Sequence, residues 1–534
     1  MTARTAAFAQ ADHSASPPRV SIPRVYNAAV DLVERNLVAG RAGRIAFIDD
    51  AASYSYGELA QRVNRCANAW RRLGLRTEDR VVLLLHDTID FPTAFLGAIR
   101  AGVVPIPCNT LLTAADYEYL LADSRARAIV VSAPLAPVIA PLAAKLDTLD
   151  HVIVSGGAVQ GMRGFADWIA AESADAPVAT TTADDVCFWL YSSGSTGSPK
   201  GAVHLHADLI QTAELYARPV LGIAADDVVF SAAKLFFAYG LGNALTFPLA
   251  VGATSVLMAE RPTPAAVFKR LVEKRPTIFY GVPTLYAAML ASAEFPARDR
   301  LALRRCVSAG EALPADLGKR WRDKTGIDIL DGLGSTEMLH IFLSNHPDDV
   351  CYGTTGRPVP GYAVRVVDDA GNPVAPGEIG ELQVSGPTSS PYYWNNRAKS
   401  LATFLGPWTR SGDKYIVDTE GRYVYCGRTD DMLKVGGLYV SPFEVEAALA
   451  THEAVLEAAV VGCADGTELI KPKAFVVLKP GQAPGPALAA VLQDHVKAHL
   501  APFKYPRWIE FVAELPKTAT GKIQRFKLRA PAET

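Results

Sequence analysis

Short, continuous apolar runs recur along this chain and alternate with longer stretches of helical period, and that alternation limits the fold more than any other feature. The runs VVLLL (81–85), VVPIP (103–107), AIVV (128–131), HVIV (151–154) and TIFYG (277–281) are too uniformly apolar to leave one face in water. Strands buried on both faces belong to parallel sheets covered by helices. Between two of them, DFPTAFLGAIRAG has the length and period of a covering helix. The expected class is α/β, with layered subdomains and largely parallel sheets. A chain of 534 residues also needs more than one packed unit.

Two later regions read differently. YAVRVVDDAGNPVAPGEIGELQVSG (362–386) sets two strand-like runs around a turn-rich centre, which predicts an antiparallel, β-rich subdomain. After about residue 428, SPFEVEAAL offers Ser441 as an N-cap, Pro442 at the first helical position and Glu444 to complete a capping box. AVLEAAVVGC and KAFVVLKPG follow as strands, and ALAAVLQDHVKAHL puts Leu488, Val491, Leu492, Val496 and Leu500 on one helical face. The expected division is a disordered tail over 1–20, a large region over 21–429 and a small α+β domain over 430–534.

Composition mainly excludes. A formal net charge of -2 gives no electrostatic footprint for nucleic acid. Seven scattered cysteines with no CxxC pair argue against a metal cluster or a disulfide framework and for a reducing compartment, the cytoplasm. The N-terminal residues lack the apolar core of a secretory signal. Leu235 to Ala259 is uncharged and long enough to cross a bilayer, but Gly240, Gly242, Asn243, Pro248 and Gly252 break it into a helix, a turn and the strand TSVLM. No membrane partner is expected.

The stretch YSSGSTGSPKG (191–201) has the composition of a flexible linker. A linker predicts weak structure on both sides, yet VCFWLYSSG arrives as a buried strand and HLHADLIQTAELYA leaves as a helix. A strand, a glycine-rich turn and a nearby helix present backbone N–H groups to a phosphate. A Walker loop is ruled out, because Lys200 follows Pro199 and Gly201 stands where a hydroxyl is needed. That mismatch also counts against a P-loop kinase or ATPase.

YSSGSTGSPKGAVHLH resembles the phosphate loop of the adenylate-forming superfamily of acyl-CoA synthetases, luciferases and peptide-synthetase adenylation domains. SAGEALP (308–314), DGLGSTEM (331–338), TRSGD (409–413), YCGRTDDMLKVGGLYVSPFEVE (425–446) and PKTATGKIQR (516–525) follow in that family's order. The resemblance implies a reaction in two halves, in which a carboxylate attacks the α-phosphate of ATP and a thiol then displaces AMP. It assigns Ser192, Ser193, Gly194, Ser195, Thr196, Gly197 and Lys200 to the β- and γ-phosphates, Thr336 to the α-phosphate and Glu337 to Mg2+. Gly310, Glu311 and Ala312, with Asp331, Gly332 and Leu333, would line the adenine slot, Ser335 would also bind the nucleotide, and Asp413 and Arg428 would hold the ribose. Lys522 corresponds to the adenylation lysine, Asp430 to a hinge, and Gly436 and Gly437 to the pantetheine path. Lysine acetylation of Lys522 by a partner acetyltransferase, reversed by a deacetylase, would remove the needed charge.

Within the superfamily, FFAYGLGN most resembles benzoate–CoA ligases and their 4-hydroxybenzoate relatives. Phe236, Phe237, Ala238, Tyr239 and Gly240, with Ala309, Gly334, His340 and Ile341, would form a compact aromatic pocket. His340 reads equally as a structural histidine. Benzoate is the first substrate expected and a hydroxybenzoate the second, one hydroxyl being worth only about 1–3 kcal/mol in an apolar pocket. Coenzyme A is expected as acceptor over a carrier protein, since no carrier domain follows TGKIQR. Lys471 and Lys473 are candidate CoA contacts or simply solvated edge lysines. A homodimer is compatible with the sequence.

Overall fold

The computed structural model describes residues 8–194, 197–429, 431–435, 438–464, 470–517 and 523–529. Chain contacts divide them into two units: one of residues 1–363 and 384–409, the other of residues 364–383 and 410–534. The second unit therefore takes in chain on the N-terminal side of residue 430.

The first unit is built on two sheets. In the smaller, Val104–Pro107, Arg80–Leu84, Ala128–Ser132, His151–Ser155 and Arg163–Gly164 lie side by side, every pairing parallel. The first four are the apolar runs of the sequence, and Leu84, Ile106, Ile129 and Val131 enter one core with Trp189 and Val203. In the larger sheet the order is Arg357–Pro358, Ile341–Ser344, Ile329–Gly334, Arg305–Ser308, Ile278–Gly281, Val228–Ser231, Thr254–Val256, Ile45–Ile48 and Ser53–Ser55. Its centre is parallel, and its two ends close with antiparallel pairs. Phe230, Phe279, Tyr286 and Trp321 pack beneath that centre. The helix Asp90–Ala101 is buried almost end to end and stops at Gly102 with φ +79°, the left-handed C-cap a glycine permits.

Two expectations change here, and one holds. The glycine-rich stretch is a hairpin, Val186–Gly194 against Gly197–Leu205, and the helix His206–Thr212 starts only after the second strand. The β-branched and aromatic residues on both sides favour that pairing, so no helix N-terminus adjoins the turn. The chain from residue 10 is not a disordered tail: Gln10–Asp12 pairs with Arg19–Ser21, Ala9 N–H donates to Asp31 at 3.0 Å, and His13 meets Glu214 at 2.7 Å. The long uncharged segment breaks as expected, into Ala238–Leu241, the wide-turn helix Gly242–Thr246, Phe247–Val251 and the strand Thr254–Val256. Among the described residues no helix is long and apolar enough to cross a membrane.

In the second unit, most of Ala363–Val367, Gly380–Ser385 and Trp408–Val417 lie in sequence across a sheet, with Tyr423–Arg428 antiparallel to Trp408–Val417. A second sheet joins Val455–Ala464, Ile470–Leu478 and Trp508–Phe511. The helices Pro442–Ala450 and Pro486–His499 cover it through Val445, Leu449, Leu492 and Val496. Ser441 caps the first helix by accepting from Glu444 N–H at 3.1 Å, but the Glu444 carboxylate binds Lys504 at 2.6 Å and does not close a capping box. A full positive charge is the stronger partner. Val491 is 51% exposed: the buried stripe runs through 488, 492 and 496, and residue 491 lies about 100° around the helix from 492.

Candidate active site

Val228–Ser231, Ile278–Gly281, Arg305–Ser308 and Ile329–Gly334 are consecutive parallel neighbours, so the loops that follow them leave from one edge of the sheet. A crevice outside the carboxyl ends of parallel strands is where α/β folds place ligands. Those loops carry residues 232–240, 309–314 and 335–340, three of the segments singled out in the sequence. Ser308 stands opposite Asp331 in register, which sets Ala309–Ala312 beside Asp331–Leu333. Gly310 turns at φ +89°, a conformation other residues rarely adopt. Glu311 accepts from Thr284 Oγ1 at 2.6 Å. Burial pushes the Asp331 carboxyl well above the carboxylate range, and its Oδ1 has no hydrogen-bond partner among the described residues.

Residues 335–339 are held from several sides. Ser335 Oγ accepts from Met338 N–H at 3.2 Å, and Thr336 O accepts from Leu339 N–H at 3.1 Å. Glu337 O accepts from Ser390 N–H at 2.7 Å, and Met338 O from Thr388 Oγ1 at 2.7 Å. Leu339 takes φ +67°, which a leucine keeps only where surrounding contacts impose it. The Glu337 side chain reaches the hairpin: its Oε1 accepts from Tyr393 O–H at 2.7 Å and, more weakly, from Ser192 Oγ at 3.5 Å. Lys200, opposite Ser192 in the hairpin, lies with Nζ 5.0 Å from the Tyr393 ring centre. Lys200 and Glu337, far apart in sequence, thus meet at Tyr393, and Ser192 joins them through Glu337. Gly194 and Gly197 pair at the hairpin's end, while Ser195 and Thr196 lie outside the described residues.

Beside this polar group is an aromatic enclosure. Phe236 and Phe237 pack with ring centres 4.6 Å apart, and Tyr239 O–H donates to Val307 O at 3.2 Å, beside Ala309. His340 is fully enclosed, its ring 4.5 Å from Phe247, 5.5 Å from Tyr216 and 5.7 Å from Tyr239. Its Nε2 faces Tyr239 O at 3.3 Å and Asn243 Oδ1 at 3.2 Å, and Nδ1 is buried with no partner among the described residues. Burial pushes its pKa down to about 3, so the ring is neutral. Close approaches require glycine in this region: beside His340 a Cβ at Gly242 would meet the ring at 2.3 Å and one at Gly334 the His340 O at 2.6 Å, while one at Gly240 would meet Lys234 O at 2.0 Å. Ile341 is buried against Gly332. Beneath, buried Asp87 accepts from Leu235 N–H at 3.3 Å and anchors the loop that carries the phenylalanines.

In the second unit, Asp413 Oδ1 accepts from Arg428 Nη1 at 3.1 Å across the pair of strands that bears both. Lys473 binds Glu510 at 2.9 Å. Asp430, Gly436, Gly437 and Lys522 lie outside the described residues. Tyr393, His204, Asn243, Tyr216 and Asp87 join the geometry without having been marked in the sequence. Only HLH, directly after the hairpin motif, offered a local cue.

Residues 34–394 match the model of the AMP-binding enzyme family, and residues 444–522 match the AMP-binding enzyme C-terminal domain. A benzoate–CoA ligase of Thauera aromatica is 65% identical over 97% of this chain and 99% of its own length. A 4-hydroxybenzoate–CoA/benzoate–CoA ligase of Rhodopseudomonas palustris is 53% identical over 95% and 94%. The crystal structure of a benzoate CoA ligase from Burkholderia xenovorans superposes with a TM-score of 0.89 at 57% identity, covering 95% of this chain and all of that one. These findings correct one expectation: the matched proteins are ligases of small molecules, and nothing in them brings in a lysine acetyltransferase or deacetylase as partner.

Proposed function

The chain belongs to the AMP-binding enzyme family, the adenylate-forming acyl-CoA synthetases, and from that premise we propose that it joins benzoate to coenzyme A. The observation that carries the reading is the enclosure around His340: aromatic walls, a neutral imidazole and glycine-limited space suit a flat, compact ring. A benzoate carboxylate oxygen attacks the α-phosphorus of ATP, the bond to the bridging oxygen breaks, and pyrophosphate leaves. The CoA thiol gives up its proton, its sulfur attacks the acyl carbon, and AMP departs with the carbon–oxygen electron pair.

In this reading the hairpin carries the β- and γ-phosphates through Ser192, Ser193, Gly194, Ser195, Thr196, Gly197 and Lys200. Without an adjoining helix, the positive end of the site comes from hairpin amides and Lys200. Thr336 meets the α-phosphate, where both reactants bring negative charge, so positioning and neutralisation supply the acceleration. The orphaned Asp331 Oδ1 suits the exocyclic amine of adenine, a donor that needs a buried acceptor. Asp413 and Arg428 hold the ribose. Glu337 would hold Mg2+, an ion that arrives with nucleotide phosphates and takes few protein ligands. When bound, the ion adds neutralising charge to the phosphates.

Lys522 contacts the carboxylate and α-phosphate in the first half-reaction. Movement about Asp430 then exchanges it for the glycine pair Gly436 and Gly437, which leave room for pantetheine. We place the protein in the cytoplasm, a reading supported by seven cysteines that are all free.

The test measures pyrophosphate release and thioester formation with ATP, magnesium and a panel of benzoate, 4-hydroxybenzoate, 2-aminobenzoate, acetate and a medium-chain fatty acid. Benzoate gives the highest specificity constant. Preference for 4-hydroxybenzoate, the reading favoured by the Rhodopseudomonas palustris relative, would keep the chemistry and move the substrate, and pyrophosphate without thioester would move the acceptor to a carrier protein. Lys522→Ala loses adenylation and keeps thioester formation from preformed benzoyl-adenylate; Asp430→Pro does the reverse.

A further inference from the structure

His204 is a buried residue of the hairpin's second strand, and its ring is fixed on both sides. One face stacks on Phe188 with centres 5.2 Å apart, and Nδ1 lies 3.0 Å from Asp208 Oδ2, which also accepts Leu205 N–H at 3.0 Å. The remaining nitrogen, Nε2, lies 2.8 Å from Thr336 O. Carbonyl and carboxylate oxygens only accept, so Nε2 donates to Thr336 O and Nδ1 donates to Asp208.

We propose that His204 is a positioning residue for adenylation, acting through the Thr336 carbonyl. This rests on the roles given above to Thr336 and Glu337. The Thr336 carbonyl is one end of the rigid peptide plane that joins Thr336 to Glu337. Fixing its direction fixes how both side chains leave the backbone. Among the described residues, Leu339 N–H holds that oxygen from within the loop, at 3.1 Å, while the next two carbonyls are held from outside by Ser390 and Thr388. His204 completes the set from the side of the hairpin. The strand that bears Lys200 therefore sets the orientation of the loop bearing Thr336 and Glu337, and the two halves of the phosphate site keep one geometry.

The test compares His204→Gln with His204→Asn in the full-length enzyme. A glutamine amide nitrogen falls near the place of Nε2 and keeps a donor toward Thr336; an asparagine amide falls near Nδ1 and does not. Benzoate-dependent pyrophosphate release falls on the order of tenfold or more in His204→Asn and clearly less in His204→Gln. The loss is in kcat rather than in KM for benzoate, and the thioester step from preformed benzoyl-adenylate loses far less. Hydrogen exchange at the Leu339 amide speeds up in His204→Asn only. Equal losses in the two variants, or equal losses in both half-reactions that track a falling Tm, would overturn the proposal. If the wild-type enzyme releases pyrophosphate with no acid in the panel, the activity reading fails, and the Leu339 exchange comparison still decides the positioning claim.

Discussion

Replacing Gly242 by alanine tests whether the His340 ring is a wall of the acid site. The added Cβ would stand 2.3 Å from His340 Cδ2 and 2.6 Å from Nε2, where ordinary contact begins at 3.4 Å, so something must move by about 1.1 Å. The ring has little retreat: Phe247 is 4.5 Å away on one side and Tyr216 5.5 Å on another, and Nε2 is tied to Tyr239 O and Asn243. Overpacking of this kind costs about 1–3 kcal/mol. If the ring wall borders the acid as proposed, its displacement intrudes on the bound acid, so we expect KM for benzoate to rise about tenfold while KM for ATP stays within twofold, because the first figure corresponds to about 1.4 kcal/mol of lost ground-state binding. Initial rates of pyrophosphate release across a benzoate series measure it, with Tm as control. An unchanged benzoate KM with a lowered Tm would show that the helix yields instead of the ring, and the assignment of His340 to the pocket would fall.

Tyr393→Phe removes the 2.7 Å donor to Glu337 and leaves the weak Ser192 contact at 3.5 Å; adenylation kcat drops about tenfold and the magnesium requirement shifts to higher concentration, read by pyrophosphate release against added magnesium. Asp87 supplies a pH prediction: burial raises its carboxyl from 3.8 to about 6, so the folded state binds this proton more tightly than the unfolded chain. Its contribution is fully present below 3.8 and is lost as pH rises through about 6, at most about 3 kcal/mol. Urea midpoints of wild type and Asp87→Asn should therefore diverge between about pH 4 and 6 and stay apart above that, to the disadvantage of wild type; parallel curves refute this. In the second unit, Glu446→Ala strips both the 2.7 Å acceptor of Val460 N–H and the paired contacts to Arg525 at 3.1 and 2.7 Å, and calorimetry should show a destabilisation of about 2 kcal/mol or more.

The parallel sheets were legible because runs such as AIVV can be buried only one way, and Ser441–Pro442 marked a helix start by residue chemistry alone. The hairpin was not legible as such: Gly and Ser at 192–197 announce a turn, but whether a strand or a helix follows depended on GAVHL pairing back along CFWLY, a long-range choice that local pattern does not encode. The same limit explains the missed site residues. Tyr393 lies 56 positions from Glu337, and Asp87 lies 148 from Leu235, in stretches with no motif of their own. Val491 fell on the wrong side because a window of apolar residues widens a stripe that three-dimensional packing keeps narrow.

On the proposed reading, the glycines at 240, 242 and 334 make the acid site a one-way valve under mutation. At 240, 242 and 334 every possible replacement adds bulk to places already in contact, so drift at these codons can only narrow the range of acids accepted or abolish folding. Broader appetite has to arise by trimming Phe236, Phe237, Tyr239 or His340. A lineage seeking larger aromatic acids would leave its record at those four positions and leave the glycines alone, and libraries meant to widen the substrate range are best confined to them.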